Sequence, residues 1–221
     1  ILWKSFKKMT NLFQNICVDN FFKEPYQILD LEKKVEYNEI REISGSRSED
    51  IKNIDYNLFN YINKRIIQFI FPGLENIQFK AKTHFQKSTP DPNDGWVHPD
   101  PGWVTAIIYL TPEGTSGTSI WEPKKEFYIP NQPEKHNYFE NKKNYSEINK
   151  KLVHHSKIVN NSNYEKTIQY SGKFNRMICF DALNFHAAEV LEKGKDRKII
   201  ISFIDYINTG LFPGREIFVN E

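Results

Sequence analysis

His98-Pro99-Asp100 is the stretch of this sequence best suited to chemistry. In extended backbone, residues two apart point to the same side, so an imidazole and a carboxylate converge on one point. His186, in Phe185-His186-Ala187-Ala188, offers a second imidazole far along the chain. Two histidines and one carboxylate can occupy one face of an octahedral metal and leave three positions open. That donor set suits Fe(II) and oxidative chemistry. Arg197 follows His186 by eleven positions. Its guanidinium can grip a carboxylate with two parallel hydrogen bonds. Plainer readings stand beside these. His-X-Asp also occurs in solvated turns. His186 also reads as a core histidine bonded to backbone, and Arg197 as a surface partner of Asp196 or Glu192.

These residues need strands to bring them together. Residues 103–110 are apolar and β-like, and 117–122, 173–181, 184–190 and 197–206 read as further strands. From Ile77 to Gln86 the pattern alternates: Ile77, Phe79, Ala81, Thr83 and Phe85 against Gln78, Lys80, Lys82, His84 and Gln86. That is a half-buried strand. Upstream, 14–22 reads as a short strand, 25–36 as a helix opened by Pro25, and 44–50 as a loop. Between 51 and 70 the residues Ile51, Ile54, Leu58, Tyr61, Ile62, Ile66 and Phe69 recur at spacings of three and four. This predicts one helix, stopped by Phe71-Pro72-Gly73. Helices first and many short strands after argue for an α+β protein whose strands form a sandwich or barrel. Residues 123–170 are polar, rich in Lys and Asn, and interrupt the strand series. They are expected to be an insertion over the mouth of the barrel, with a surface excursion packed outside the sheet as the alternative.

Taken together, His98-Pro99-Asp100, Val104 to Thr111, Gly117-Thr118, Phe174 to Asp181, His186 and Arg197 resemble the 2-oxoglutarate and Fe(II)-dependent dioxygenases, in their prolyl-hydroxylase-like branch. The resemblance covers about 77 to 206, with a poorly matching middle. It implies a double-stranded β-helix, a cupin-like jelly roll with N-terminal supporting helices. The expected organisation is a single domain over 1–221, with helical support about 1–74, a core about 75–206 and the insert 123–170. His98, Asp100 and His186 match the family's iron ligands. Arg197 matches the basic residue that holds the distal carboxylate of 2-oxoglutarate, and Tyr109 a strand tyrosine reaching the same carboxylate. The implied cofactors are Fe(II), 2-oxoglutarate as cosubstrate and O2, with succinate and CO2 released. The presence of Asp100 favours hydroxylation over halogenation, because related halogenases lack that carboxylate. Two departures concern the cosubstrate pocket. Ser116-Gly117 stands where relatives often have Gly-Gly, and Ile199 where some have Ser.

Composition narrows the alternatives. The 221 residues carry 30 Lys plus Arg against 28 Asp plus Glu, so no global charge draws the chain to nucleic acid or an anionic membrane. In 122–170, 9 Lys face 6 Glu with aromatic residues between them. This keeps oxidative demethylation of nucleic acid bases as an alternative ranked below hydroxylation of a small-molecule or peptidyl substrate. A dense basic patch is missing. A binding module with a vestigial site is the non-enzymatic alternative. No apolar run approaches the roughly 18 residues of a membrane helix. Ile1-Leu2-Trp3-Lys4 does not resemble a secretory leader, so a cytoplasmic setting is expected. Cys17 and Cys179 make no disulfide framework. Trp96, Trp103 and Trp121 flank the metal motif and can either wall a substrate site or pack. His84 lies on the polar side of its strand, and His154-His155 reads as surface. Nothing in Asn175-Arg176 assigns either residue to a ligand.

Overall fold

The computed structural model describes residues 13–39, 45–73, 75, 78–91, 93–124, 157–195 and 197–208. Its elements are β1 (Ile16–Val18), α1 (Pro25–Glu32), β2 (Asn38–Glu39), β3 (Gly45–Arg47), α2 (Ile51–Ile54), α3 (Tyr56–Ile70) and β4 (Gln78–Ser88). They continue as β5 (Val104–Tyr109), β6 (Thr115–Pro123), β7 (Tyr164–Gly172), β8 (Met177–Asp181), β9 (Phe185–Ala188) and β10 (Arg197–Asn208). Two antiparallel sheets result. The larger runs β1-β8-β5-β10-β4-β3-β2, and the smaller runs β7-β6-β9. Segment 91–98 extends the smaller sheet on its β9 side through bridges Asp91 to Leu191 and His98 to His186. The two sheets make the expected jelly roll.

β5 is buried at every position because both faces of the larger sheet are covered. Ile107 and Tyr109 face the barrel interior, where they cluster with Ile178, Phe180, Ile199, Ile201 and, from the smaller sheet, Ile120. Val104, Ala106 and Ile108 face the opposite way, onto Phe59, Ile62 and Ile66 of α3 and Ile51 of α2. Fully burying such a side chain is worth roughly 1.5–3 kcal/mol, so the helices hold the sheet that carries Tyr109 and Arg197. One polar residue joins this contact. Asn63 is fully buried, donates to Phe59 O and Thr83 Oγ1, and accepts from Ser202 Oγ at 2.6 Å. It binds α3 to β4 and β10.

Four expectations need correction. The helix expected over 51–70 breaks at Asp55, whose backbone is extended and whose carboxylate accepts from Leu58 N–H, so Asp55 caps α3. Loop 44–50 contains β3, which pairs with β4. Residues before 75 are not purely helical support, since β1 pairs with β8 and β3 with β4 at the flanks of the larger sheet. Finally, the insert expected over 123–170 ends earlier. Tyr164–Gly172 is β7, an edge strand of the smaller sheet, and its mostly exposed side chains explain its polar composition. Residues 125–156, with His154-His155, lie outside the described residues. The described end of the insert packs beside segment 95–97.

Glu32, buried at the end of α1, accepts from Tyr37 at 2.7 Å and pairs with Lys87 at 3.1 Å and Lys198 at 3.4 Å. Burial pushes its carboxyl up, but the Tyr37 and lysine partners outweigh burial and hold it below the ordinary glutamate value. A depressed folded value contributes stability that is full above the unfolded value near about 4.3. It is lost as pH falls from there through the folded value. Glu32→Gln should therefore cost about 1–2 kcal/mol near pH 7, discounted for the partly exposed lysines. In urea unfolding series the difference from wild type should shrink toward zero below that window. A gap that persists in acid would mean packing, not charge, sets the cost.

Candidate metal centre

His98 and His186 are directly opposed across an antiparallel pair. His98 N–H donates to His186 O at 3.1 Å and His186 N–H to His98 O at 2.9 Å. Opposed residues present their side chains to one face, and the ring centroids lie 4.5 Å apart. Asp100 is turned toward them by its backbone N–H, which donates to Ala182 O at 2.7 Å. Its Oδ1 lies 3.5 Å from His98 Nε2 and its Oδ2 3.1 Å from His186 Nε2. One donor atom from each residue falls within 4.8 Å of the others.

The tautomers are fixed from behind. His98 Nδ1 lies 2.6 Å from Trp96 O, and His186 Nδ1 lies 2.9 Å from Asn184 O. A carbonyl oxygen only accepts, so each Nδ1 carries hydrogen and each Nε2 is left facing the carboxylate. Thr105 Oγ1 donates to Asp100 Oδ2 at 2.7 Å and fixes the carboxylate's rotation. Burial pushes Asp100 up and His186 down, but their proximity prevails. The histidines hold Asp100 well below the usual carboxylate range, and Asp100 raises His186. Two nitrogens and one carboxylate oxygen, converging and oriented by backbone and hydroxyl partners, are a donor set that Fe(II) fits.

Arg197 opens β10 and is 3% exposed, so the surface reading fails. Nε, Nη1 and Nη2 reach Ser116 O, Ser88 Oγ and Thr118 Oγ1 at 3.3, 3.3 and 3.1 Å. All three acceptors are neutral, and among the described residues no carboxylate lies within ion-pair distance of it. Burial pulls the guanidinium below its ordinary value, as expected of a charge stripped of water. Tyr109 points the same way and donates to Thr118 Oγ1 at 2.8 Å. Thr118 thus receives both groups, a role the sequence did not disclose. Its neighbour Gly117 has a clear requirement. A Cβ there would sit 1.7 Å from Tyr170 O, so β6 and β7 could not approach with any other residue. Ser116, beside it, accepts from Arg197 through its backbone carbonyl.

The remaining candidates separate. Trp103 packs in the helix-side core, against Phe13 and Tyr206. Trp121, under Lys166 at 5.2 Å, packs with Val97, Tyr164 and Ala187. Trp96 remains beside the centre. His84 bonds to Ser48 O at 3.1 Å and pairs with Ile201. Asn175, in left-handed backbone, clasps Phe22 N–H and C=O, and Arg176 pairs with Asp19. Both tie the first strand to the sheet. Burial pushes the Cys179 thiol up to about 12, which keeps it protonated and unreactive.

The fold is shared with solved structures of 2-oxoglutarate and Fe(II) oxygenases. HygX of Streptomyces hygroscopicus, solved with nickel and 2-oxoglutarate, is similar with a TM-score of 0.55 and 10% identity over 86% of this chain and 82% of that one. A Burkholderia pseudomallei oxidoreductase of the 2OG-Fe(II) oxygenase family gives 0.53 and 10% identity, covering 86% and 84%. A Trichoplax adhaerens prolyl hydroxylase, in complex with a hypoxia inducible factor peptide, gives 0.50 and 13%, covering 88% and 84%. By sequence, residues 81–198, more than half of its length, place the chain in a family of unknown function, DUF6445, and it belongs to that family. No curated protein matches it. Among the described residues no helix is long and apolar enough to cross a membrane.

Proposed function

We propose that the protein is a non-haem Fe(II) and 2-oxoglutarate-dependent oxygenase that hydroxylates a small-molecule or peptidyl substrate. One observation carries this reading. Three metal-type donors converge at one end of a barrel whose interior also buries an arginine with no acidic partner among the described residues. HygX and the Burkholderia protein, with the same fold, support the class.

His98, Asp100 and His186 would hold Fe(II). When bound, Fe(II) supplies the redox chemistry that couples O2 and 2-oxoglutarate to substrate oxidation, with succinate and CO2 as by-products. Arg197 receives the distal carboxylate of 2-oxoglutarate in its planar fork, and Thr118 orients the guanidinium. Tyr109 reaches the same carboxylate by turning its hydroxyl away from Thr118. Thr105 keeps one Asp100 oxygen hydrogen-bonded, which leaves the other to act as a single donor. Ile107, Phe180 and Ile199 make the barrel interior apolar, which excludes water from the reacting end. The whole chain is taken as one such domain.

The test is anaerobic titration of 2-oxoglutarate into Ni(II)-loaded protein, followed by aerobic turnover with Fe(II). Saturable binding and iron-dependent succinate formation are expected, and a hydroxylated product gains one oxygen atom. Absence of both binding and succinate would overturn the assignment.

A further inference from the structure

Among the described residues, the segment that carries His98 has a sheet partner on one edge. On that side Gly95 and His98 meet β9, and Asp91 bridges Leu191 just beyond it. Its other edge exposes Gly95 O, Val97 N–H and Val97 O, and side chains from the helical turn 157–161 satisfy them. Asn161 Nδ2 donates to Gly95 O at 2.9 Å, and Asn161 Oδ1 accepts from Val97 N–H at 3.0 Å. A residue of a parallel strand makes this pattern, donating to the carbonyl before the facing residue and accepting from the amide after it. The facing residue here is Trp96. Asn160 Nδ2 adds bonds to Val97 O and to Asn161 Oδ1, each at 3.1 Å. Lys157, buried at the start of the turn, pairs with Asp91 at 2.6 Å.

Val97 N–H and Trp96 C=O belong to the same peptide unit. The amide end of that unit donates to Asn161, and its carbonyl end accepts the Nδ1 hydrogen of His98 at 2.6 Å. Hydrogen bonds at the two ends of one peptide reinforce each other, because each polarises the unit in the same sense. We propose that Asn161 is a positioning residue for the metal centre, acting through the Trp96–Val97 peptide to fix the orientation of His98. The inference rests on the metal-binding role proposed above for His98, Asp100 and His186. It gives the described end of the insert a part in building the site, distinct from covering it. His186 needs no such device. Its strand lies between β6 and the 91–98 segment and has partners on both edges.

Outer partners of ligating histidines are typically worth 10- to 100-fold in metal affinity. Mn(II) binding to the full chain, read from the electron paramagnetic resonance signal of the free ion, separates positioning from mere anchoring. Asn161 stands one bond further out than the Trp96 carbonyl, so Asn161→Ala should weaken Mn(II) by about 10-fold, the low end of that range. Asn160→Ala, which leaves the Trp96–Val97 unit bonded at both ends, should bind Mn(II) as wild type does. Asn161→Asp retains an oxygen for Val97 N–H but loses the bond to Gly95 O. Its unfolding midpoint should fall while its Mn(II) affinity stays within a few-fold of wild type. Asn161→Ala with wild-type affinity would overturn the positioning role, as would an equal loss in Asn160→Ala or an Asn161→Asp as weak as Asn161→Ala. Wild-type protein that takes up no Mn(II) would instead overturn the metal assignment, and the positioning role with it.

Discussion

Asp100→Ala is expected to lower iron-dependent 2-oxoglutarate turnover by at least about 100-fold, since even outer partners of a metal ligand cost 10- to 100-fold when removed. Asp100 is 8% exposed and faces both imidazoles within 3.5 Å, so no other carboxylate of the described site stands ready to replace it. The substitution also removes the acceptor for Thr105 and the negative charge beside buried His186 and half-buried His98. Circular dichroism should therefore accompany the assay, to show that the fold survives. Adding halide or formate is a useful second arm, because a small anion could enter the emptied position. Near wild-type turnover in Asp100→Ala would mean that the carboxylate is not a ligand.

Arg197→Lys should weaken 2-oxoglutarate by about 10- to 100-fold while leaving Mn(II) affinity unchanged. A hydrogen bond to a charged group is worth about 1.5–3 kcal/mol, and an ammonium replaces two parallel donors by a point charge. Arg197→Met goes further and splits function from stability. It should abolish cosubstrate binding, yet the unfolding midpoint of the cosubstrate-free protein should stay level or rise. A buried guanidinium without an acidic partner is costly to desolvate, and apolar replacement of buried charges is often neutral or stabilising. A loss of more than about 2 kcal/mol in Arg197→Met would make the three bonds to Ser116, Ser88 and Thr118 a structural anchor.

The strands were legible where apolar residues alternate or run together, as in β4, β5 and β10, because burial writes directly into residue type. The site residues His98, Asp100 and His186 were legible as types in an expected strand order. Their convergence was implied by the family resemblance alone, since it depends on one bridge between positions 98 and 186. What sequence concealed follows a physical pattern. β7 is polar because it is an edge strand with little to bury. Asp55 breaks a helix whose apolar spacing runs on through the break, because capping is decided by one side chain and not by periodicity. Asn63 and Thr118 look like surface residues by type, yet each is the shared hydrogen-bond partner of several buried groups. Thr105 and Asn161 act only on residues already identified, so no spacing rule could have singled them out.

The opposition of His98 and His186 joins positions 88 residues apart in the sequence. Apart from that pair, among the described residues the Asp91–Leu191 bridge and the Gly95 bond to Ala188 tie the ligand segment along this edge. An ion gripping both imidazoles would thus be a removable staple on a sparsely stitched seam. An ion present at a hundred times its dissociation constant adds about 2.7 kcal/mol to the folded state. Without it the seam opens more often, and transiently opened segments are where proteases gain access. The lifetime of the protein in the cell, as well as its turnover number, would then track the supply of metal.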